Sequence, residues 1–576
     1  MCGRTHRARI FTAALSISAI AAPSFCVAQI AAPSQLTPQS LRPQALSGNQ
    51  GIVLPGPSAV PIPAGADNLN VLIDDVEVAG AFAELSSATA AWVAGIKGRR
   101  ISVTQIYAAA AALERIHAEA GYPLVRVVIP PQQLVDRGRL VVVVVDGFIE
   151  GIDVAGLPDR VVDVVAARTD LLVGRRHLKM SEIERALLIA GDVPGLKLKS
   201  TLMRGSREGG VRLLLEGEHR IVTGSVGGDD RLSSALGTWQ LRGSVAVNSA
   251  FGAGEQIYGT VGLGADLRAA IDGTTPLAVY GGGAVIPIGT DGMTINPEYT
   301  HSTTRTAQAP GVPASLGTFD RYALRLRDPL LLTRKTSLYL NVSIEEVAQQ
   351  VTAPDFGVTL NSDRYAVLRV GPDTTMTLPW GESLQLGANL SQGLGGRGAV
   401  DAAVSGVPLS RQGAGPEFTK LTANAHLAQP LPADLRLDLI GAGQYSLGQP
   451  MMRPEQIALD GSDAVSAFAS GTFTADQGVT LRGELSRPFA VSFNATNAVV
   501  SPYLFSSYGR GWLVDATSLE QSVINASAFG LGVRGTVEAK AGLPSASLGV
   551  EIGRGYTDLA GVRQGWRANI NASAAF

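Results

Sequence analysis

Cysteine is almost missing from this chain: Cys2 and Cys26 are the only two in 576 residues, and both lie within the first 28. Once that stretch is removed, no disulfide framework, thiolate metal site or cysteine nucleophile can form. Histidine is as sparse, with six scattered residues and no metal-ligand spacing. No G-x-S-x-G nucleophile motif occurs. After the N-terminal stretch there is no apolar run of roughly 18 residues, so helices crossing a bilayer are excluded. Basic residues are not in excess either. The 47 Lys and Arg against 49 Asp and Glu give −2, and loss of Arg4, Arg7 and Arg9 leaves 44 against 49, or −5. That balance offers no patch for nucleic acid. No catalytic residue, metal or cofactor is expected.

What is present begins with an address. Arg4, Arg7 and Arg9 precede the largely apolar 13-residue stretch Ile10–Ala22, too short to cross about 30 Å of hydrocarbon as a helix. Cys26-Val27-Ala28 supplies small residues for cleavage before Gln29, so residues 1–28 read as a secretory signal peptide. Phe25 before Cys26 argues against a lipoprotein. An exported chain without helical spans is either soluble or a membrane β-barrel, because lipid tolerates only helices and closed barrels. Residues 29–66 carry Pro33, Pro38, Pro43, Pro55, Pro57, Pro61 and Pro63 and read as a tether. Pro38 and Pro43 leave poor room for one short helix over Gln35–Leu46.

Residues 67–147 form the first compact module. Val71–Val78 reads as a strand and Ser87–Ile96 as a helix. Thr104 then caps a second helix through Ala120, with Ile106, Ala109, Ala110, Leu113, Ile116 and His117 on one face. Gly121 ends it, and strands Val125–Ile129 and Leu140–Val145 follow. Residues 148–220 repeat the order: a strand over Phe148–Val154, helices near Arg160–Ala167 and Ser181–Ala190, then strands Lys197–Met203 and Gly210–Glu216.

From 221 to 576 the pattern changes to period two between Gly, Asp, Asn and Pro clusters. Leu338, Leu340, Val342 and Ile344 alternate with Tyr339, Asn341 and Ser343, and Leu435, Leu437 and Leu439 with Arg436 and Asp438. Such apolar-out, polar-in segments mark an outer-membrane barrel. At roughly 22 residues per strand and loop, these residues make about 16 strands, within the range of such barrels. A soluble sandwich would alternate likewise; the signal peptide, polar second face, missing cysteines and terminal Phe576 favour the barrel. The expected fold is therefore two α+β modules of βααββ order followed by an all-β barrel of about 16 antiparallel strands.

Between Gly121 and Ile152 several elements fall in order. They are Gly121-Tyr122, the run Leu124–Ile129, Pro130-Pro131-Gln132, the turn Asp136-Arg137-Gly138, the strand Arg139–Asp146, and Gly147 through Ile152. This stretch resembles the polypeptide-transport-associated (POTRA) domain of two-partner-secretion transporters of the haemolysin secretion/activation (ShlB/FhaC) type. The resemblance implies periplasmic POTRA modules, a helix of the N-terminal segment plugging the barrel, and export of a large exoprotein that is unfolded in transit. It further implies that Phe576 addresses the outer-membrane assembly machinery and that the bilayer surrounds the barrel. Substrate binding is expected by strand addition, in a groove of the first module near Tyr107, Tyr122, Val125, Val127, Ile129 and Gln132. The plain alternative is that Tyr122, Gln132 and their neighbours only shape turns and pack the module. Asn248–Gln256 resembles the family's turn after the first barrel strand, with Ser249 and Glu255 in place of Pro and Asp.

The resemblance also implies an extracellular loop, here around 453–475, folding into the barrel. In the family its Val-Arg-Gly-aromatic tip pairs with the Asp of a Phe-x-Asp-x-Gly wall motif. Here the tip reads Val465-Ser466-Ala467-Phe468 and the wall Phe505, Ser507 and Gly509, so both charged partners are replaced together. Leu481-Arg482-Gly483-Glu484 looks like the tip, yet its place after Asp476-Gln477-Gly478 makes it the next strand. Joint replacement of a buried pair can be nearly neutral, so the expectation is a lid held by hydroxyls or packing. Gly393–Gly398 spells G-x-G-x-x-G, but without βαβ context it reads as an extracellular loop. Arg325, Arg327, Arg436 and Arg534 are expected to line the lumen. The remaining alternatives are a barrel-assembly factor, which usually carries more modules, a passive porin, or an outer-membrane enzyme.

Overall fold

Five consecutive valines, Val141–Val145, make the centre of the first module. β-Branched residues favour the pleated conformation, and alternation sends Leu140, Val142 and Val144 into the core while their neighbours stay half-buried. The computed structural model describes residues 32–43, 52–53, 66–264, 268–269, 272, 274–308, 313–493, 496–537 and 545–576. The expected signal peptide, and most of 29–66 with Pro55, Pro57, Pro61 and Pro63, lie outside the described residues.

In chain order the first elements are α1 (Pro33–Leu36) and β1 (Ile52–Val53). The first module holds β2 (Asn70–Ala79), α2 (Ser86–Ile96), β3 (Arg99–Ser102), α3 (Val103–Glu119), β4 (Arg126–Val128) and β5 (Gly138–Val145). Its sheet runs β3-β2-β5-β4, with β2 and β5 parallel. Ile106, Ala110, Leu113 and His117 of α3 pack on it, and Trp92 Nε1 donates to Ala109 O at 2.8 Å to fasten α2 to α3.

Two expectations need correcting here. Strand β3 lies between the helices, so the order is βαβαββ. The cap of α3 is Ser102, not Thr104: Ser102 Oγ accepts from Gln105 N at 3.2 Å and Gln105 Oε1 from Ser102 N at 2.9 Å. That reciprocal box satisfies two terminal N–H groups at once, which places Thr104 inside the first turn.

The second module holds β6 (Phe148–Gly156), α4 (Asp159–Thr169), α5 (Met180–Gly191), β7 (Leu196–Arg204) and β8 (Gly210–His219). Its sheet runs β1-β7-β8-β6, with β1 pairing parallel to β7 through Ile52–Ser200 and Val53–Thr201. The modules meet where Met180 N donates to Gly121 O at 2.8 Å and the Phe82 and His177 rings stack at 4.1 Å. Gly121 takes a φ of 97° there, a conformation that favours glycine.

His219 closes β8, its Nε2 facing Pro194 O at 3.2 Å. Burial holds this imidazole below the ordinary histidine value, aided by Arg160 and opposed by the Pro194 bond. A depressed folded value means that the unfolded chain binds more protons, so stability is present above about pH 6.5 and falls as acid protonates the ring. Hydrogen exchange of β8, corrected for intrinsic rate, is expected to be slower at pH 7.5 than at pH 5.5, and His219→Gln is expected to flatten the difference.

From Val222 the chain forms a closed antiparallel barrel of seventeen segments. Gln477–Ser486 and Phe489–Phe493 pair in line with the same strand, Thr496–Trp512, and are one strand broken at Arg487-Pro488. The barrel therefore has sixteen strands. Val222–Asp229 closes on Gly565–Ala575. At that seam Gly224 and Phe576 exchange main-chain bonds of 3.1 and 3.0 Å, and a Cβ on Gly224 would stand 2.6 Å from the Phe576 ring. Inward residues such as Glu298, Thr300 and Ser302 are buried, whereas Leu324, Ile344 and Leu439 project outward. That alternation is what a polar lumen and a lipid-facing exterior require. Gly393–Gly396 belong to strand Ser383–Gly396 rather than to a loop.

The second module sits on one rim. Arg160 donates to Ala250 O at 3.0 Å, Arg185 donates to Pro329 O at 2.9 Å, and Glu184 faces Arg334 at 3.5 Å. The turn at Ala250 is fixed from within by Glu255, whose carboxylate accepts from Phe251 N and Ala253 N at 2.6 and 3.0 Å.

Candidate functional site

Among the described residues two segments fill the lumen, and each is held by polar side chains that the period-two pattern turns inward. The first is residues 32–43. Pro33 sits in the first turn of α1, where its missing N–H costs nothing, so the helix starts before Gln35 and stops at Thr37, ahead of Pro38. Beyond it the chain runs extended along the wall. The carboxylate of Glu298 accepts from Ser40 Oγ and Leu41 N at 3.0 and 2.9 Å. It also meets Tyr258 at 2.8 Å and Arg325 at 3.0 Å. Arg321 and Arg325 donate to Pro38 O and Gln39 O, both at 2.8 Å, and Thr37 Oγ1 meets Ser302 Oγ at 2.7 Å.

The second segment is the loop between strands Leu435–Tyr445 and Gln477–Ser486, which folds inward as a lid from the rim opposite the modules. A one-turn helix, Arg453–Glu455, and a two-residue ladder, Ile457–Ala458 with Thr474–Ala475, shape it. Its tip is Val465-Ser466-Ala467-Phe468, all buried. Ser466 Oγ donates to Glu551 and accepts from Arg482 at 2.7 Å, while Asn569 Nδ2 donates to Ser466 O at 2.9 Å. Arg482 also binds Glu551 and, at 2.8 Å, Glu484; Tyr503 donates to Glu551 at 3.0 Å. Below the tip lies a seat of glycines. A Cβ on Gly555 would be 2.7 Å from the Phe468 ring, and one on Gly509 would be 3.2 Å from Val465 and Leu459. Only bare backbone lets the tip approach so closely.

The sequence-predicted wall residues divide. Phe505 packs into the lid cluster and carries Arg482 over its ring at 4.2 Å, and Gly509 is part of the seat. Ser507 does not reach the lid: it is buried and its hydroxyl turns to Ala528 O at 3.4 Å. The expected hydroxyl lock therefore exists at Ser466 alone. It is set into a charged network of the wall, Arg482, Glu484, Glu551 and Arg534, that sequence reasoning missed. The signal for it was Arg482-Gly483-Glu484 on an inward-alternating strand.

In the first module, α3 lies against edge strand β4, as expected. Tyr122, Val125 and Val127 are core residues, each under 8 % exposed, and Tyr122 OH donates to Glu84 at 2.7 Å. Gln132 is engaged too: its amide exchanges bonds of 2.7 and 2.8 Å with the main chain of Val141. It replaces the ladder bonds that Pro130 and Pro131 interrupt. Tyr107 and Ile129 stay half-buried. Along this groove Glu114 of α3 accepts from Val127 N at 3.1 Å and pairs with Arg126 at 3.2 Å. It covers an N–H that an edge strand otherwise leaves open.

Comparison with known proteins decides the assignment. The family described as haemolysin secretion/activation protein ShlB/FhaC/HecB matches residues 211–535. The chain belongs to that family. A POTRA domain of the ShlB type matches residues 71–147. Among solved structures, CdiB from Escherichia coli is similar at 19 % identity and TM-score 0.66, covering 95 % of this chain and 94 % of that one. CdiB from Acinetobacter baumannii is similar at 13 % identity and TM-score 0.59, covering 91 % and 95 %. No curated protein matches the chain. At these identities the two structures bear on the fold, while the family carries the function: this is an outer-membrane two-partner-secretion transporter.

Within the haemolysin secretion/activation family the chain is a variant of the expected lock. Arginine and acid are both present, but Arg482 and Glu551 both stand on the wall, and the lid tip offers them only the Ser466 hydroxyl and, to Asn569, the Ser466 main-chain carbonyl.

Proposed function

We propose that this transporter moves one large, unfolded exoprotein from the periplasm to the cell surface through the barrel, by displacement of residues 32–43 and of the lid. The observation that carries this reading is a sixteen-strand barrel whose lumen holds two peptide segments fastened by side-chain bonds, beside tandem modules docked on one rim. A passive porin has no use for either segment. In this reading the modules lie in the periplasm and the first captures substrate by strand addition along β4, where Tyr107 and Ile129 border the edge and Glu114 must yield Val127 N–H. The second module already accepts an added strand, from the chain's own Ile52–Val53. Phe576 at the seam is the element that the barrel assembly machinery reads, and lipid surrounds the outward face. The protein performs no catalysis; folding of the exoprotein outside supplies the free energy.

Comparative proteomics of medium and cell surface tests this, with and without the protein and with a version lacking residues 67–147. One large exoprotein is expected to disappear without the transporter and to stay absent in the truncated strain. An unchanged secreted set with depleted outer-membrane barrels would instead identify an assembly factor.

A further inference from the structure

The lid is held at three places that differ in what their charges face when it withdraws. At the root, Asp476 accepts from Met451 N, Gln456 Nε2 and Val514 N at 3.0, 3.0 and 2.8 Å and pairs with Arg411, which also reaches Glu520 at 3.3 Å. Those partners belong to the lid root and its neighbouring loops. At the tip, Arg482 keeps Glu484 and Glu551 whether or not Ser466 is present. Between root and tip, Glu455 is 1 % exposed and meets three wall residues. Arg369 donates twice, at 2.7 and 3.1 Å, Tyr365 OH donates at 2.7 Å, and Lys420 Nζ lies 2.8 Å away. Tyr365 and Arg369 come from strand Val358–Thr377 and Lys420 from Thr419–Leu431. Among the described residues, Glu455 is the one lid carboxylate paired with cations of the wall strands. Asp460, by contrast, accepts from Gly471 N and Phe473 N inside the lid.

We propose that Glu455 is the latch of the lid, the residue whose charge holds the closed position, in place of a charged tip. The proposal rests on the reading that the lid withdraws. Arg369 retains Glu345 at 3.3 Å without the Glu455 carboxylate, but Lys420 retains only neutral acceptors, Gln444 at 3.1 Å and the main-chain carbonyl of residue 455 at 2.7 Å, and no bonded anion. A buried cation left alone is costly until water reaches it. Loss of the Glu455 charge therefore destabilises the closed lid and leaves the open one unaffected.

The readout is the rate at which N-ethylmaleimide modifies Ala467→Cys, a position 6 % exposed when the lid is seated. Both natural cysteines precede residue 29, so this is the one thiol of the processed protein. Glu455→Gln is expected to raise the rate at least about tenfold, through more frequent opening. Lys420→Gln alone is expected to raise it less, since Glu455 keeps Arg369. Adding Lys420→Gln to Glu455→Gln is expected to lower the rate again, because the orphaned cation is gone; that non-additivity reports direct coupling. A Glu455→Gln rate equal to the unsubstituted one, or a double variant faster than Glu455→Gln, would overturn the latch. If Glu455→Gln does not give the heat-modifiable folded band, Lys420→Gln carries the test: a raised rate supports the latch and an unchanged one refutes it. The assay needs no exoprotein. A loosened lid in a protein that exports nothing would refute the export reading and leave the latch standing.

Discussion

A transporter carrying Ala467→Cys and Gly553→Cys is expected to stop exporting when the new pair is oxidised and to recover when it is reduced. The Ala467 Cβ lies 3.4 Å from where a Gly553 Cβ would stand, close to the separation of about 3.8 Å that a disulfide prefers. The one close obstruction is the tip of the Phe505 ring, 2.8 Å away, which a rotatable side chain can relieve. With no other thiol after residue 28, the bond has no competing partner. It ties the lid tip to strand Ser545–Thr557 and converts a seat held by hydroxyl bonds and packing into a covalent one. Export of the exoprotein should fall to background, each single cysteine should export normally, and added dithiothreitol should restore the pair. Undiminished export with the bond quantitatively formed would show that the substrate passes without the tip leaving the wall.

Much of this arrangement was legible in the residues. The two-residue period marked the inward faces, because a barrel forces every second side chain into the lumen, and the length of the segment set the expectation of about 16 strands. The helical face of Ile106, Ala110, Leu113 and His117 placed α3 on its sheet. Short-range capping was misjudged by two residues, since Ser102 and Thr104 both resemble caps and only Ser102 has Gln105 at the right offset. Of the lid network only Arg482-Gly483-Glu484 left a local mark, and its partners could not be read. Glu551 lies 69 residues from Arg482 and 85 from Ser466, and only closure of the barrel brings the strand carrying Glu551 across from the lid. Glu455 gave no signal either, because nothing local marks an acid whose cations lie on two other strands. The groove residues expected from the resemblance show another ambiguity: Val125 and Val127 carry the apolar pattern of a binding edge and are also core residues. Pattern alone does not tell a pocket from a packed interior.

Deleting residues 32–43 is expected to raise the single-channel conductance of the purified transporter severalfold while leaving export intact. The segment occupies the lumen, yet the cluster of Glu298, Arg321 and Arg325 does not depend on it for charge balance. Without it Arg325 keeps Glu298 at 3.0 Å and Glu345 at 3.5 Å, and Arg321 keeps Glu298 at 3.5 Å. The groups it removes from those arginines are the neutral carbonyls of Pro38 and Gln39. No ion of these wall pairs loses its partner, and Asp192 at the end of α5 loses the charge of Arg42 but keeps those of Arg327 and Arg168, so the barrel should fold normally, whereas truncating one side of a buried pair would cost several kcal/mol. The lid should also stay latched, because the partners of Glu455 are Tyr365, Arg369 and Lys420 and none belongs to the deleted segment. Labelling of Ala467→Cys in the deletion should then match the full-length rate even as conductance rises, and Glu455→Gln in the same background should increase both. Conductance that stays at the full-length level after deletion would mean that the lid alone closes the pore. Export lost with the deletion would make residues 32–43 part of the working transporter rather than a stopper that has to leave.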